Sequence, residues 1–150
     1  MKRLYFIAVA GLCACQNVPQ DQIKIVAPPA PITNPQAADY SDLYLQGTFN
    51  WWHAEPSYKV QKVGNQLYKV STKLVADGND YQFIFADKIY SGGKTCGAAN
   101  VKSSSVKAGS EKVAANCRAE NSYFKFKPLK TAVYDFFFDY NNLTPKVYIK

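Results

Sequence analysis

Leu43-Tyr44-Leu45-Gln46-Gly47-Thr48-Phe49-Asn50-Trp51-Trp52 is the stretch that decides the fold. Leu43, Leu45 and Gly47 fall on one face of an extended chain, and Tyr44 and Gln46 on the other. That is the period-2 pattern of a half-buried strand. Gly47 lets the backbone turn or pack closely where the strand ends. Phe49, Trp51 and Trp52 then stand where the chain runs out into a loop. Trp51 and Trp52 cannot both point inward from a regular strand, because neighbours alternate faces. One ring is expected in the core and the other outside, and Trp52, at the end of the motif, is the expected outer one. The alternative is that both rings cap an open end of the fold.

Working outward, the chain from Tyr40 to Lys150 reads as one β domain. Aromatics make up 15% of the 150 residues, with 11 Tyr and 9 Phe, and each buried ring removes roughly 150–250 Å² from water. Tyr58–Val63 and Gln66–Ala76 read as strands joined by a tight turn at Gly64-Asn65. In the second of these, Tyr68, Val70, Thr72 and Leu74 share a face. Tyr81–Ala86 puts Tyr81, Phe83 and Phe85 on one face. Tyr90–Asn100, rich in glycine and alanine, reads as a loop. Val101–Lys107 and Glu111–Asn116 are polar strand candidates, and Tyr123–Lys127, Val133–Asp139 and Lys146–Ile149 are well-patterned ones. About eight short strands at close spacing argue for an all-β sandwich. No helical periodicity stands out beyond the N-terminus.

The first 39 residues read as delivery rather than fold. Lys2 and Arg3 precede a short apolar run, Leu4–Gly11, too short to span a bilayer as a helix. Leu12-Cys13-Ala14-Cys15 matches the bacterial lipobox, with Leu at −3 and a small residue at −1. The resemblance to lipoprotein signals implies a signal peptide at residues 1–14 and acylation of Cys15, such as by palmitate. Gln16 after the cysteine implies the outer membrane, because Asp there favours retention in the inner one. Residues 15–39 hold Pro19, Pro28, Pro29, Pro31 and Pro35 and read as a Pro-rich tether, since proline removes backbone donors and favours extended chain. The domain follows at residues 40–150.

Short motifs carry a second resemblance. Gly47-Thr48-Phe49-Asn50-Trp51-Trp52 is similar to the opening of the early-set, immunoglobulin-like modules of starch- and glycogen-active enzymes. It is also similar to repeated domains of outer-membrane starch-binding lipoproteins. Tyr81-Gln82-Phe83-Ile84-Phe85-Ala86-Asp87 resembles their Tyr-Lys-Phe strand, with Gln82 in place of Lys. Ala132–Phe136 through Pro145–Tyr148 resembles their closing hairpin. The resemblance implies an immunoglobulin-like β-sandwich that binds α-glucan by ring stacking. Trp52 would be one platform and Tyr90, where the family has a second Trp, the other. Asn50 and Lys88 would donate hydrogen bonds to sugar hydroxyls.

Few other chemistries fit. With Cys13 in the signal and Cys15 lipidated, Cys96 and Cys117 are left as an even pair in an oxidising compartment, and a disulfide between them is expected. There is one histidine, His53, no Cys-x-x-Cys and no Cys/His cluster, so neither a redox pair, a metal nor another cofactor is expected. No nucleophile elbow accompanies His53, and the carboxylates sit mostly at turns, so the chain reads as non-catalytic. The net charge is +7, and removing residues 1–14, which carry Lys2, Arg3 and no acid, leaves +5. That charge fits anionic headgroups or an acidic partner, and an envelope location argues against nucleic acid. Two functions follow: glucan binding, or an accessory or assembly lipoprotein that holds an envelope protein by a sheet edge or basic face. Cys15→Ser is expected to release the protein from membranes on fractionation. A variant that stays with the outer membrane would show another anchor.

Overall fold

The computed structural model describes residues 38–118 and 122–150. The expected signal peptide, Cys15 with its expected lipid, and nearly all of the expected tether lie outside them. The fold is all-β, as the alternating patterns predict. Among the described residues nine strands form one curled antiparallel sheet: β1 (Tyr44–Gly47), β2 (Gln61–Gly64), β3 (Leu67–Leu74), β4 (Tyr81–Ala86), β5 (Thr95–Ala98), β6 (Val113–Asn116), β7 (Phe124–Phe126), β8 (Ala132–Asp139) and β9 (Lys146–Ile149). The order is β1-β4-β5-β6-β9-β8-β3-β2, with β7 also on β4. β5 pairs with Phe85 and Ala86 and β7 with Tyr81–Phe83, so the two share one edge of β4 end to end.

The curl brings the two ends of the sheet face to face across an aromatic core. Leu45 and Gly47 of β1 pair with Phe85 and Phe83 of β4. Opposite them, Tyr68 and Val70 of β3 pair with Phe138 and Phe136 of β8. Phe83 meets Phe136 edge-on with ring centroids 5.1 Å apart, and Phe85 meets Phe138 at 5.5 Å. Phe126 of β7 closes the cluster against Tyr134 at 4.9 Å. Such pairs add about 0.5–1.5 kcal/mol each beyond the area they bury. Tyr40, ahead of β1, packs on Phe138 at 5.1 Å and seals one end.

Gly47 is required where β1 meets β4. A Cβ there would run into the Gln82 carbonyl and the Phe49 ring, which are backbone and packed side chain rather than flexible ends. The disulfide expected between Cys96 and Cys117 is present. It joins β5 to the residue just after β6 and closes a loop of 21 residues, a constraint that removes roughly 3 kcal/mol of unfolded-chain freedom in the entropic account.

Four local expectations need correction. The strand expected over Tyr58–Val63 starts late: Pro56–Tyr58 is a 3-10 turn with Pro at its start, and the ladder begins at Gln61. The two-residue hairpin turn is Asn65-Gln66, one step beyond Gly64-Asn65, and Gln66 takes a left-handed φ of 47°. The loop expected over Tyr90–Asn100 contains β5, whose small residues conceal a buried strand: Gly97 lies directly against the Ser122 backbone. Val101–Lys107 forms no strand, only an isolated parallel bridge between Ser105 and Lys125 of β7. It opens as a 3-10 turn over Val101–Ser103, capped by the Asn100 side chain, which accepts from the Lys102 N–H.

β1 also departs from the half-buried pattern, since all four of its residues are buried. Tyr44, Gln46, Ile84 and Ala86 make up the outer face of β1 and β4, and none exceeds 6% exposure. The segment after β4 folds back over that face, and the candidate site lies where it does so.

Candidate functional site

The first wall of the site is built by Asn50. After β1 the chain turns through a 3-10 helix, Thr48–Asn50. The Asn50 side chain saturates that turn: its Oδ1 accepts from the Gly47 N–H at 2.8 Å, and its Nδ2 donates to the Leu45 carbonyl at 2.9 Å and the His53 carbonyl at 3.2 Å. The Trp52 N–H reaches back to the Gly47 carbonyl at 3.0 Å, the six-to-one bond of a helix C-cap. Such a cap needs left-handed backbone and ordinarily takes glycine. Here it is Trp51, at φ 55°, followed by Trp52 at φ 61°. Each such residue costs about 1–2 kcal/mol relative to right-handed backbone.

The second wall is the segment after β4. Asp87 is buried, and its Oδ1 accepts from the N–H groups of Ile89 at 3.2 Å and Ser91 at 2.8 Å. Burial pushes the Asp87 pKa up, but these hydrogen bonds outweigh it and hold the carboxyl below its ordinary 3.8. At neutral pH Asp87 is therefore ionised, and the stabilisation its carboxylate gives this turn is lost as the pH falls from the ordinary 3.8 through its lowered pKa. Tyr90, also left-handed at φ 55°, points its hydroxyl back into the fold, 2.6 Å from Gln46 Oε1 and 2.9 Å from the Trp52 carbonyl. Gln46 is fully buried, and its Nε2 already donates to the carbonyls of Ala86 and Asp87. The Tyr90 hydroxyl thus supplies the donor that Gln46 Oε1 needs and ties the two walls together. Burial, with the Tyr123 phenol nearby, raises the Tyr90 pKa above 10.

Between these walls lies an open cavity of about 570 Å³ lined by Trp52, Ile84, Tyr90, Thr95, Arg118 and Tyr123, among others. Trp52 and Tyr123 are in contact, with ring centroids 4.7 Å apart at 51°. Ile84 gives an apolar patch, and Ser91, Thr95 and Ser122 offer hydroxyls. An aromatic cleft edged with hydroxyls and one guanidinium suits a ligand with flat apolar faces and a hydroxylated rim. Among the described residues no group of three acidic, histidine or cysteine side chains is placed to hold a metal ion.

The structure brings Trp52 and Tyr90 to one cavity, and corrects three expectations around them. Trp51, not Trp52, is the more exposed ring, at 82%. Neither residue is in a strand, so alternation does not apply: two successive left-handed residues turn Trp51 outward and Trp52 onto Tyr123. Asn50 is 4% exposed and spends its amide on the turn, so it has no donor left for a sugar. Lys88 is exposed but does not line the cavity; its ammonium lies 5.7 Å from the centroid of the Tyr44 ring. Sequence reasoning missed Tyr123, Thr95 and Arg118. The disulfide pairing, which carries Cys117 and its neighbour Arg118 to β5, was the one signal pointing to Arg118.

Tyr90→Phe is expected to leave Gln46 Oε1 buried without a donor and to lower stability by about 1–3 kcal/mol. Denaturant unfolding checks this, and a variant as stable as the wild type would show that the two walls are not coupled through this hydroxyl.

The fold is similar to that of a solved structure described as the ligand-induced structure of AmyP-SBD, a starch-binding domain. The TM-score is 0.52 at 13% sequence identity, and the match covers 98% of this chain and 95% of that one. No protein-family model matches the chain, and no curated protein matches it by sequence. At this identity the likeness is one of fold.

Proposed function

We propose that this protein is a non-catalytic saccharide-binding lipoprotein of the bacterial outer membrane, and that its ligand is an α-glucan held in the cleft of Trp52, Tyr90 and Tyr123. The observation that carries the reading is backbone strain around an open cavity. Among the described residues four non-glycine positions have positive φ, and three of them are Trp51, Trp52 and Tyr90. Bulky residues stay in that conformation only where the surroundings over-determine it, and such positions cluster at binding sites. The fold likeness to a starch-binding domain supports the same class of ligand. The early-set, immunoglobulin-like assignment and the Cys15 anchor belong to this reading.

The mechanism is stacking. Trp52 and Tyr123 offer rigid faces to the C–H face of a glucose ring. The hydroxyls of Thr95 and Ser122 donate to the Ser91 and Ala98 carbonyls, so toward a sugar they act as acceptors, beside the hydroxyl of Ser91. The Tyr90 hydroxyl is spent on Gln46, so Tyr90 contributes its ring.

A second reading has its own observation. β2 ends the sheet order, and Gln61, Lys62, Val63 and Gly64 are all exposed along it. An open edge is a surface on which a partner strand can pair, as an accessory or assembly lipoprotein would use it to hold an envelope protein.

Titration with maltooligosaccharides separates the two. Under the first reading Trp52→Ala abolishes binding, with each platform contributing about 1–3 kcal/mol if sugar stacking resembles base stacking. Affinity hardly changes with salt, because a neutral sugar gains nothing from the protein's charge. No binding at millimolar ligand rejects α-glucan. Unfolding of the Trp52 variant, seen by circular dichroism, would assign that ring to the core instead.

A further inference from the structure

We propose that the Trp52 cleft is one end of a longer groove, and that a second cavity beyond Gly92-Gly93 holds the continuation of the same saccharide chain. This rests on the saccharide reading above. The second cavity has a volume of about 490 Å³ and is lined by Tyr40, Gly93, Asn116, Tyr140 and Thr144, among others. Cys117 and Arg118 line both cavities. The first ends at Gly92 and the second begins at Gly93, so the two concavities meet along one divide.

That divide is low. On one side it consists of two consecutive glycines, and on the other of the Cys117 backbone, whose carbonyl accepts from the Gly93 N–H at 3.1 Å. A Cβ built on either glycine would meet nothing within 4 Å, so the space above them is open. The divide is also fixed, because Cys117 is bonded to Cys96 within β5. A chain lying in the first cavity therefore finds an open path into the second, over a rigid crossing edged by the Arg118 guanidinium.

The second cavity has the chemistry to receive sugar. The Tyr140 ring is held against Tyr40, with centroids 4.8 Å apart. Asn116 and Thr144 bring an amide and a hydroxyl beside it. An aromatic face with polar groups at its margin repeats the pattern of the first cavity, as a linear oligosaccharide requires, since each successive ring presents an apolar face and a hydroxylated edge. The ligand class is thus an oligosaccharide long enough to occupy both cavities, rather than a monosaccharide or disaccharide.

The test is chain length, measured calorimetrically on the full-length protein with maltotriose through maltoheptaose. Affinity is expected to rise by about tenfold across the series, because the second contact is made within one complex. Thr144→Gln, which narrows only the second cavity, is expected to flatten that rise while leaving maltotriose binding unchanged. Tyr140→Ala, with its fold checked by circular dichroism, is expected to do the same. A rise that persists in Thr144→Gln overturns the inference, because it then comes from the many registers a long chain offers to one site. Equal affinity for short and long chains in the wild type also overturns it, while leaving the saccharide reading in place. No binding of any length removes both.

Discussion

The course of the chain from β1 into the site depends on one side-chain amide. Asn50 accepts from the Gly47 N–H and donates to the carbonyls of Leu45 and His53, so three backbone groups at the end of β1 are bound by a single residue. That cap leaves Trp51 and Trp52 in left-handed backbone, and the pair of conformations decides which indole faces solvent and which lies on Tyr123. Hydrophobic burial does not explain the arrangement, since Trp51 is almost wholly exposed. The polar turn sets the geometry, and the aromatic cavity follows from it.

The sheet beneath supplies the rigidity on which this strain rests. Phe83 and Phe85 on β4 reach across to Phe136 and Phe138 on β8, so the inner face of β4 is fixed by interlayer ring contacts. Its outer face is fixed by Gln46, which draws the Ala86 and Asp87 carbonyls and the Tyr90 hydroxyl to one point. β1 and β4 are thus covered on both faces, which is unusual for a strand that begins an antiparallel sheet with one face in water. The third side of the cavity arrives through the disulfide, which carries Cys117 and Arg118 to β5. Three segments distant in sequence are therefore held at one place, by an amide cap, a buried glutamine and a covalent bond.

The parts of the fold that could be read from sequence were those governed by burial alone. β4 and β9 have the bounds that alternation predicts, and β3 and β8 lie within a residue or two of theirs. β5 was hidden because Gly97 and Ala98 carry no hydrophobic signal of their own; they are buried by what packs over them. Period-2 alternation puts the two tryptophans in the wrong order, because past Gly47 a side-chain cap replaces the ladder. Asn50 fails as a ligand donor for a related reason: a motif shows the residue type but not that its hydrogen bonds are already taken. The resemblance brings Tyr90 to the site, but its distance from Trp52 in the chain gives no hint that the Tyr90 hydroxyl lies 2.9 Å from the Trp52 carbonyl. Tyr123 and Arg118 lie in polar sequence, and only the disulfide and the pairing of β7 with β4 bring them to the cavity.

In the proposed cleft Trp52, the less exposed of two adjacent tryptophans, is the ring that meets the sugar. The chain has only two indole N–H groups, so a ¹H–¹⁵N spectrum reports on each, and Trp51→Phe assigns them. On titration with maltoheptaose the Trp52 indole resonance is expected to move progressively while the Trp51 resonance stays in place. Movement of Trp51 alone, or of neither, would contradict the account.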